Sequence, residues 1–289
     1  MKLATFLQRC LITALSVASL ATTALAGQNC EARRPTVDSM RRDLTLAASV
    51  ARQLDELAVR DDTRVVVIAR AGQDLNQYGL RYSHLGIAYR DDAALGGRGA
   101  WRVVHKLNQC GSDRSTLYRQ GLAEFFGDGL YLHEAGVVVL KPGLATRVID
   151  GLKDDALLTT LHEPRYNMLA YPWSGPYQQS NQWAIETLAL LADPGVVSRA
   201  AARDWLRRHD YRPTTLRISA MTRLGARVGT AHIAFDDHPF GRRMADQIDT
   251  VTVDSVFAWL ERAGLGNPPL RLRTLPDKPF ESRREPVKL

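Results

Sequence analysis

Three side chains in the sequence could together perform acyl chemistry: His84 in RYSHLGIAYR, His105 in WRVVHKL and Ser180 at the head of SNQWAIETLALLA. A positioned imidazole can take the proton of a hydroxyl nucleophile, and a second polar group can hold that imidazole in one tautomer. The N-terminus of a helix favours developing negative charge, by at most about 2 kcal/mol. That assists a thiol but cannot ionise a serine hydroxyl, so Ser180 as nucleophile needs His84 as its base. Each residue also has a plain structural reading. Ser180 can be an N-cap whose hydroxyl accepts from an early helical N–H, worth about 1 kcal/mol. A single histidine is more often a satisfied core or surface imidazole than a catalytic one.

The histidines depend on strands for their placement. Successive strand residues alternate faces, so Tyr82, His84, Gly86 and Ala88 share one side. The glycine-rich DDAALGGRGA between the two segments suits an antiparallel hairpin. With Arg90 opposite Trp101, Gly86 faces His105, and the two imidazoles become diagonal neighbours beside the open space of the glycine. A slip of one residue separates them.

Further along the chain, Thr36 is placed to N-cap a helix from about Val37 to Leu57, with Met40, Leu44, Ala47, Val50 and Leu54 as its apolar stripe. TRVVVIARAG and YLHEAGVVVL read as strands, and Pro142 starts a helix. A loop rich in Pro, Gly and aromatics precedes Ser180; its Tyr166, Tyr171, Trp173 and Tyr177 are candidates to line a cleft. SRAAARDWLRRH is helical, and DTVTVDSVFAWLERAG gives a short strand and a helix ended by Gly264. The pattern is α+β, with a mostly antiparallel sheet and packed helices.

YSHLGIAY, then WRVVHKL, then a helix-opening residue with Trp183 three positions on, resembles the circularly permuted NlpC/P60 (papain-like) group. RYSHLGIAYR, LHEPRYNMLAYPWSGPYQQSNQW and FDDHPF with VTVDSV also resemble an uncharacterised bacterial family, DUF2145, over most of the chain. The papain-like resemblance implies a permuted papain-like fold with a cysteine nucleophile, a histidine base and a polar residue orienting it. His84 matches the base, His105 the orienting residue, and Ser180 stands where that group carries its cysteine. A backbone N–H near Asn181, or the side chain of Gln178 or Gln179, would be the oxyanion donor, and Tyr82, Trp173 and Tyr177 would line the cleft. The substrates implied are small molecules, peptidoglycan peptides or lipids. The competing reading is a non-catalytic binding module that keeps the cleft.

Composition sets the context. Lys2, Arg9, the run LITALSVASLATTALA and the Ala24-Leu25-Ala26 site read as a cleaved signal peptide over residues 1–26. A single domain over 27–264 and an extended or disordered tail over 265–289 follow. The expected location is the periplasm or the exterior, with no later membrane-spanning run. Removing the signal takes away two basic residues and no acidic one, lowering the net charge from +7 to +5. The basic residues are scattered and not interleaved with aromatics, so no nucleic-acid partner is expected. Cys30 and Cys110 remain, and in an oxidising compartment a single disulfide between them could contribute roughly 4 kcal/mol; two unpaired thiols are the other reading. His232, Asp236, Asp237 and His238 in AHIAFDDHPF could hold a divalent cation, but an Asp-Asp-His turn bonding its own backbone is favoured. Ser174 lacks the G-x-S-x-G elbow, and no metal or cofactor fingerprint is present.

Overall fold

A computed structural model describes residues 35–97, 99–229 and 231–274. The expected signal peptide, Cys30 and the last fifteen residues of the expected tail lie outside them. The first element is helix α1, Val37–Asp61, N-capped by Thr36, whose hydroxyl accepts from the Ser39 N–H. Its buried stripe begins only at Leu46 and runs through Ala47, Val50, Leu54 and Leu57. Met40 and Leu44, expected in that stripe, are half exposed; the residue between them that turns inward is Asp43, which is buried and bonds His133 at 3.0 Å.

The sheet comprises β1 (Val65–Ala71), β2 (His84–Asp91), β3 (Ala100–Asn108), β4 (Ser115–Gly121), β5 (Leu132–Val139) and β8 (Leu270–Arg273). Its order is β4-β3-β2-β1-β5-β8, and every neighbouring pair is antiparallel. Arg90 does lie opposite Trp101, and the β2–β3 ladder runs to Ile87 opposite Val104. Gly86 leaves no open space, contrary to the sequence expectation. A Cβ there would come within 2.6 Å of Val103 and 3.1 Å of the His105 Cβ, so the glycine lets β3 approach closely.

β1 is buried along its whole length because helices cover both sheet faces. On one face Val66, Ile68, Ala88, Val103 and Val137 pack against α1 and the short helix α2, Leu122–Phe126. On the other, Val67, Leu85, Ile87, Val104 and Val138 meet Trp183, Ile185 and Leu188 of a later helix, Ser180–Ala192. Numbered in chain order after α3 (Pro142–Val148, with its proline at the start) and α4 (Asp155–Thr159), that helix is α5. Helices α6 (Arg199–Arg208) and α9 (Val253–Arg262) complete this layer. A two-stranded sheet, β6 (Thr214–Arg217) with β7 (Gln247–Thr250), carries α7 (Ala220–Gly229), α8 (Phe240–Met244) and its own small apolar cluster.

Residues 265–274 were expected in an extended or disordered tail. They are extended but belong to the sheet: Leu270–Arg273 is the edge strand β8, paired with β5. Its Arg273 carbonyl accepts from Ser49 Oγ and Gln53 Nε2 of α1, each at 3.0 Å, which ties the domain's last strand to its first helix. No described helix is long and apolar enough to cross a membrane.

Candidate functional site

The hairpin register brings His84 and His105 into direct contact, with Nε2 of His84 2.9 Å from Nδ1 of His105. Nε2 of His105 lies 2.8 Å from Oε1 of Gln120, the β4 residue paired with Val103. This chain of contacts fixes the tautomers. The Gln120 carbonyl oxygen can only accept, so His105 carries its proton on Nε2 and accepts at Nδ1. His84 then donates from Nε2, which leaves its Nδ1 unprotonated.

Both rings are buried against Phe125 of α2, at centroid distances of 5.9 Å for His84 and 5.3 Å for His105. The cross-strand partner of His84 is Arg70, whose guanidinium donates to the Phe125 carbonyl and to Asp128 Oδ2, the latter at 2.6 Å. Burial and then the charge of Arg70 hold the His84 imidazole well below its ordinary 6.5; the neighbouring His105 adds to the effect. The same two causes, in that order, bring His105 down to about 4. Both rings are therefore neutral at neutral pH.

Ser180 sits elsewhere. It is the first residue of α5, and the N-cap is Gln179, so the N-cap reading of Ser180 is off by one position. Buried Tyr166 lies beside Ser180. Among the described residues no hydrogen bond joins Ser180 to His84. The histidine side chains face α1 and α2, whereas α5 covers the opposite face of the same strands. The two segments do meet, through their neighbours. Beyond Ile87 the β2–β3 ladder stops, and the free N–H of Leu85 donates to Asn181 Oδ1 at 3.1 Å, while Asn181 Nδ2 donates to the Val251 carbonyl at 3.2 Å.

The expected oxyanion donors are likewise engaged in structure. Gln178 Oε1 accepts from Lys106 Nζ at 2.8 Å and from the Glu163 N–H at 3.0 Å; its Nε2 donates to the Leu161 carbonyl and to Glu186. Gln179 Nε2 donates to Thr250 Oγ1 at 2.6 Å. Of the cleft aromatics, Tyr82 donates to Glu134, Trp173 packs beneath the Arg207 guanidinium, and Tyr177 donates to Asp236 under Arg165.

Around Gln178 lies a buried polar network that sequence reasoning missed. Glu186, fully buried on α5, accepts from Gln178, from Gln182 and from Arg199 Nε at 2.8 Å. Burial and the nearby Arg199 charge pull the Lys106 amine down to about 6, against the opposing pull of Glu186 and Glu163. The available signal was strand alternation: with His105 on one face of β3, Lys106 had to point into the other, beneath α5.

The Asp-Asp-His segment is a turn that bonds its own surroundings. Asp237 Oδ2 accepts from the Tyr171 N–H at 2.7 Å, and His238 bridges Asp237 Oδ1 and the Asp249 carbonyl, each at 3.0 Å. His232 is buried apart from them, without a hydrogen-bond partner for either ring nitrogen. Among the described residues no cluster of three His, Cys, Asp or Glu side chains is placed to hold a metal ion.

Comparison with known proteins gives a family but no activity. Residues 56–260, well over half of the chain, match the family described as "Uncharacterized protein conserved in bacteria (DUF2145)", and the chain belongs to that family. No curated protein and no solved structure matches it.

Proposed function

We propose that this member of the DUF2145 family is an exported, non-catalytic binding module with a papain-like arrangement, in which Ser180 anchors structure and does not attack a substrate. The observation that carries this reading is the closure of both halves of the site. His84 is bonded to His105, while Ser180 opens α5, which covers the opposite face of the sheet, beside buried Tyr166. The side chains of Gln178 and Gln179, two of the expected oxyanion donors, are spent on strand and helix contacts. Electrostatics point the same way. An imidazole held well below 6.5 is a weak acceptor for an alcohol proton, although it would serve a thiol near 8.5 far better. Small molecules, peptidoglycan peptides and lipids are the ligand classes for such a module, in the periplasm or outside the cell.

The second reading is acyl-group hydrolysis or transfer on an amide or ester, by Ser180 with His84 as base and His105 as its orienting partner. One observation favours it: the tautomer chain leaves His84 Nδ1 as a free proton acceptor. Labelling of the exported protein with a fluorophosphonate separates the two. The binding-module reading expects no adduct at Ser180. A stoichiometric adduct that is lost in His84→Ala establishes the hydrolase instead.

A further inference from the structure

Four of the exposed large apolar side chains of the described residues lie on the two helices carried by the small sheet. Met221 and Leu224 on α7 are 78% and 61% exposed, and Phe240 and Met244 on α8 are 71% and 68% exposed. Spacings of three and four residues put each pair on one helix face. The small sheet joins the two helices. Arg217 of β6 pairs with Gln247 of β7, and the Ile218 N–H donates to the Asp246 carbonyl. Arg223, between Met221 and Leu224, bonds Asp246 Oδ1 at 2.7 Å, two positions beyond Met244. Beneath them the cluster of Leu216, Ile218, Ile233, Phe235 and Ile248 is closed, so these four side chains are surplus to the core.

The charge beside this patch is positive. Arg242 pairs with Asp249 and Arg223 with Asp246. Exposed Arg217 has no carboxylate at ion-pair distance among the described residues, nor has Arg243, whose guanidinium lies 5.9 Å from the Phe240 ring centroid.

We infer that this corner docks the protein on an anionic lipid surface. Phe240, Met244, Met221 and Leu224 enter the boundary between headgroups and acyl chains, and Arg217 and Arg243 lie against lipid phosphates. Four side chains are few beside the roughly 20–30 residues per side of a stable protein interface, whereas a bilayer demands no matching shape. The unpaired guanidiniums select anionic over zwitterionic headgroups. This surface is separate from Ser180 and does not rest on the reading given to it.

The test is sedimentation of the full mature chain with vesicles of phosphatidylcholine alone, or of phosphatidylcholine mixed with phosphatidylglycerol. Binding is expected to the mixed vesicles and should weaken as salt rises. Phe240→Ser with Met244→Ser should reduce the partition coefficient by about tenfold or more. Arg217→Gln with Arg243→Gln should remove the preference for phosphatidylglycerol. Both variants should keep the wild-type thermal midpoint, because the altered side chains lie outside the core. Failure to pellet with either vesicle overturns the inference, and so does pelleting that neither variant changes. A dimer seen in sedimentation equilibrium that Phe240→Ser with Met244→Ser abolishes, without any lipid binding, also overturns it and assigns the corner to a second copy of the chain.

Discussion

His84 and His105 share one hydrogen bond across a hairpin whose backbone ladder has already ended, so the side chains continue the pairing that the main chain gives up. The pair closes one end of a buried row, Gln120–His105–His84, that terminates beside the Arg70 charge. A row of this kind resists removal of any member, because the remaining polar atoms stay buried without partners.

Replacing His84 with Ala should therefore destabilise the protein by about 2–3 kcal/mol, which for a domain of this size lowers the thermal midpoint by roughly 5–10 °C. His105→Ala should cost a similar amount, and the double variant should cost less than the sum. Calorimetry of the three variants checks this. A His84→Ala midpoint equal to wild type would place the imidazole in an open cleft.

Stability should rise with pH in two windows. The unfolded chain binds protons at both histidines below about 6.5, while the folded chain refuses them until about 4 at His105 and well below 6.5 at His84. Between those limits folding releases protons, so stability falls as pH falls, by about 1.4 kcal/mol per unit for each group. Lys106 acts the same way higher up, between about 6 when folded and 10.5 when unfolded. Urea unfolding from pH 4.5 to 9.5 should show both slopes. His105→Gln should lessen the lower slope, which His84 and His162 share, and Lys106→Met should remove the upper.

Ser180→Ala should cost no more than about 1 kcal/mol, because Ser180 is the first residue of α5 and not its N-cap. Ser180→Cys tests the chemistry. In the binding-module reading its thiol alkylates with iodoacetamide no faster than in a denatured control, and His84→Ala makes no difference. Rapid alkylation near neutral pH that slows when His84 is replaced would reinstate a papain-like pair.

Protein prepared from an oxidising compartment should carry one Cys30–Cys110 disulfide. Thiol titration of the denatured, unreduced chain should find none free, and two thiols per chain would contradict the pairing.

The hairpin was legible in the sequence because local signals agree on it: a glycine-rich turn, alternating faces and a single aromatic opposite Arg90. The extent of α5 was equally legible, from Ser180 to Ala192. Which sheet face α5 covers was not. That is settled by the burial of Trp183, Ile185 and Leu188 against Leu85, Ile87 and Val104, side chains far apart in sequence whose meeting no local pattern encodes. The burial of Lys106 was missed for a related reason. A lysine in a strand reads as solvent-facing until the partner that covers it, here Gln178, is in place. Leu270–Arg273 was hidden by its proline-rich surroundings, since a four-residue strand has too little alternation to stand out.

The tie between Ser49, Gln53 and the Arg273 carbonyl spans up to 224 positions of chain. A polypeptide emerging N-terminus first has β5 in hand long before it has β8, so the outer edge of β5 stays unsealed until Leu270–Arg273 has been made. During that interval the nascent sheet offers its bare hydrogen-bonding row to any neighbouring chain. The final strand acts as a clasp, and the timing of its arrival decides whether the protein closes upon itself or pairs with another nascent copy.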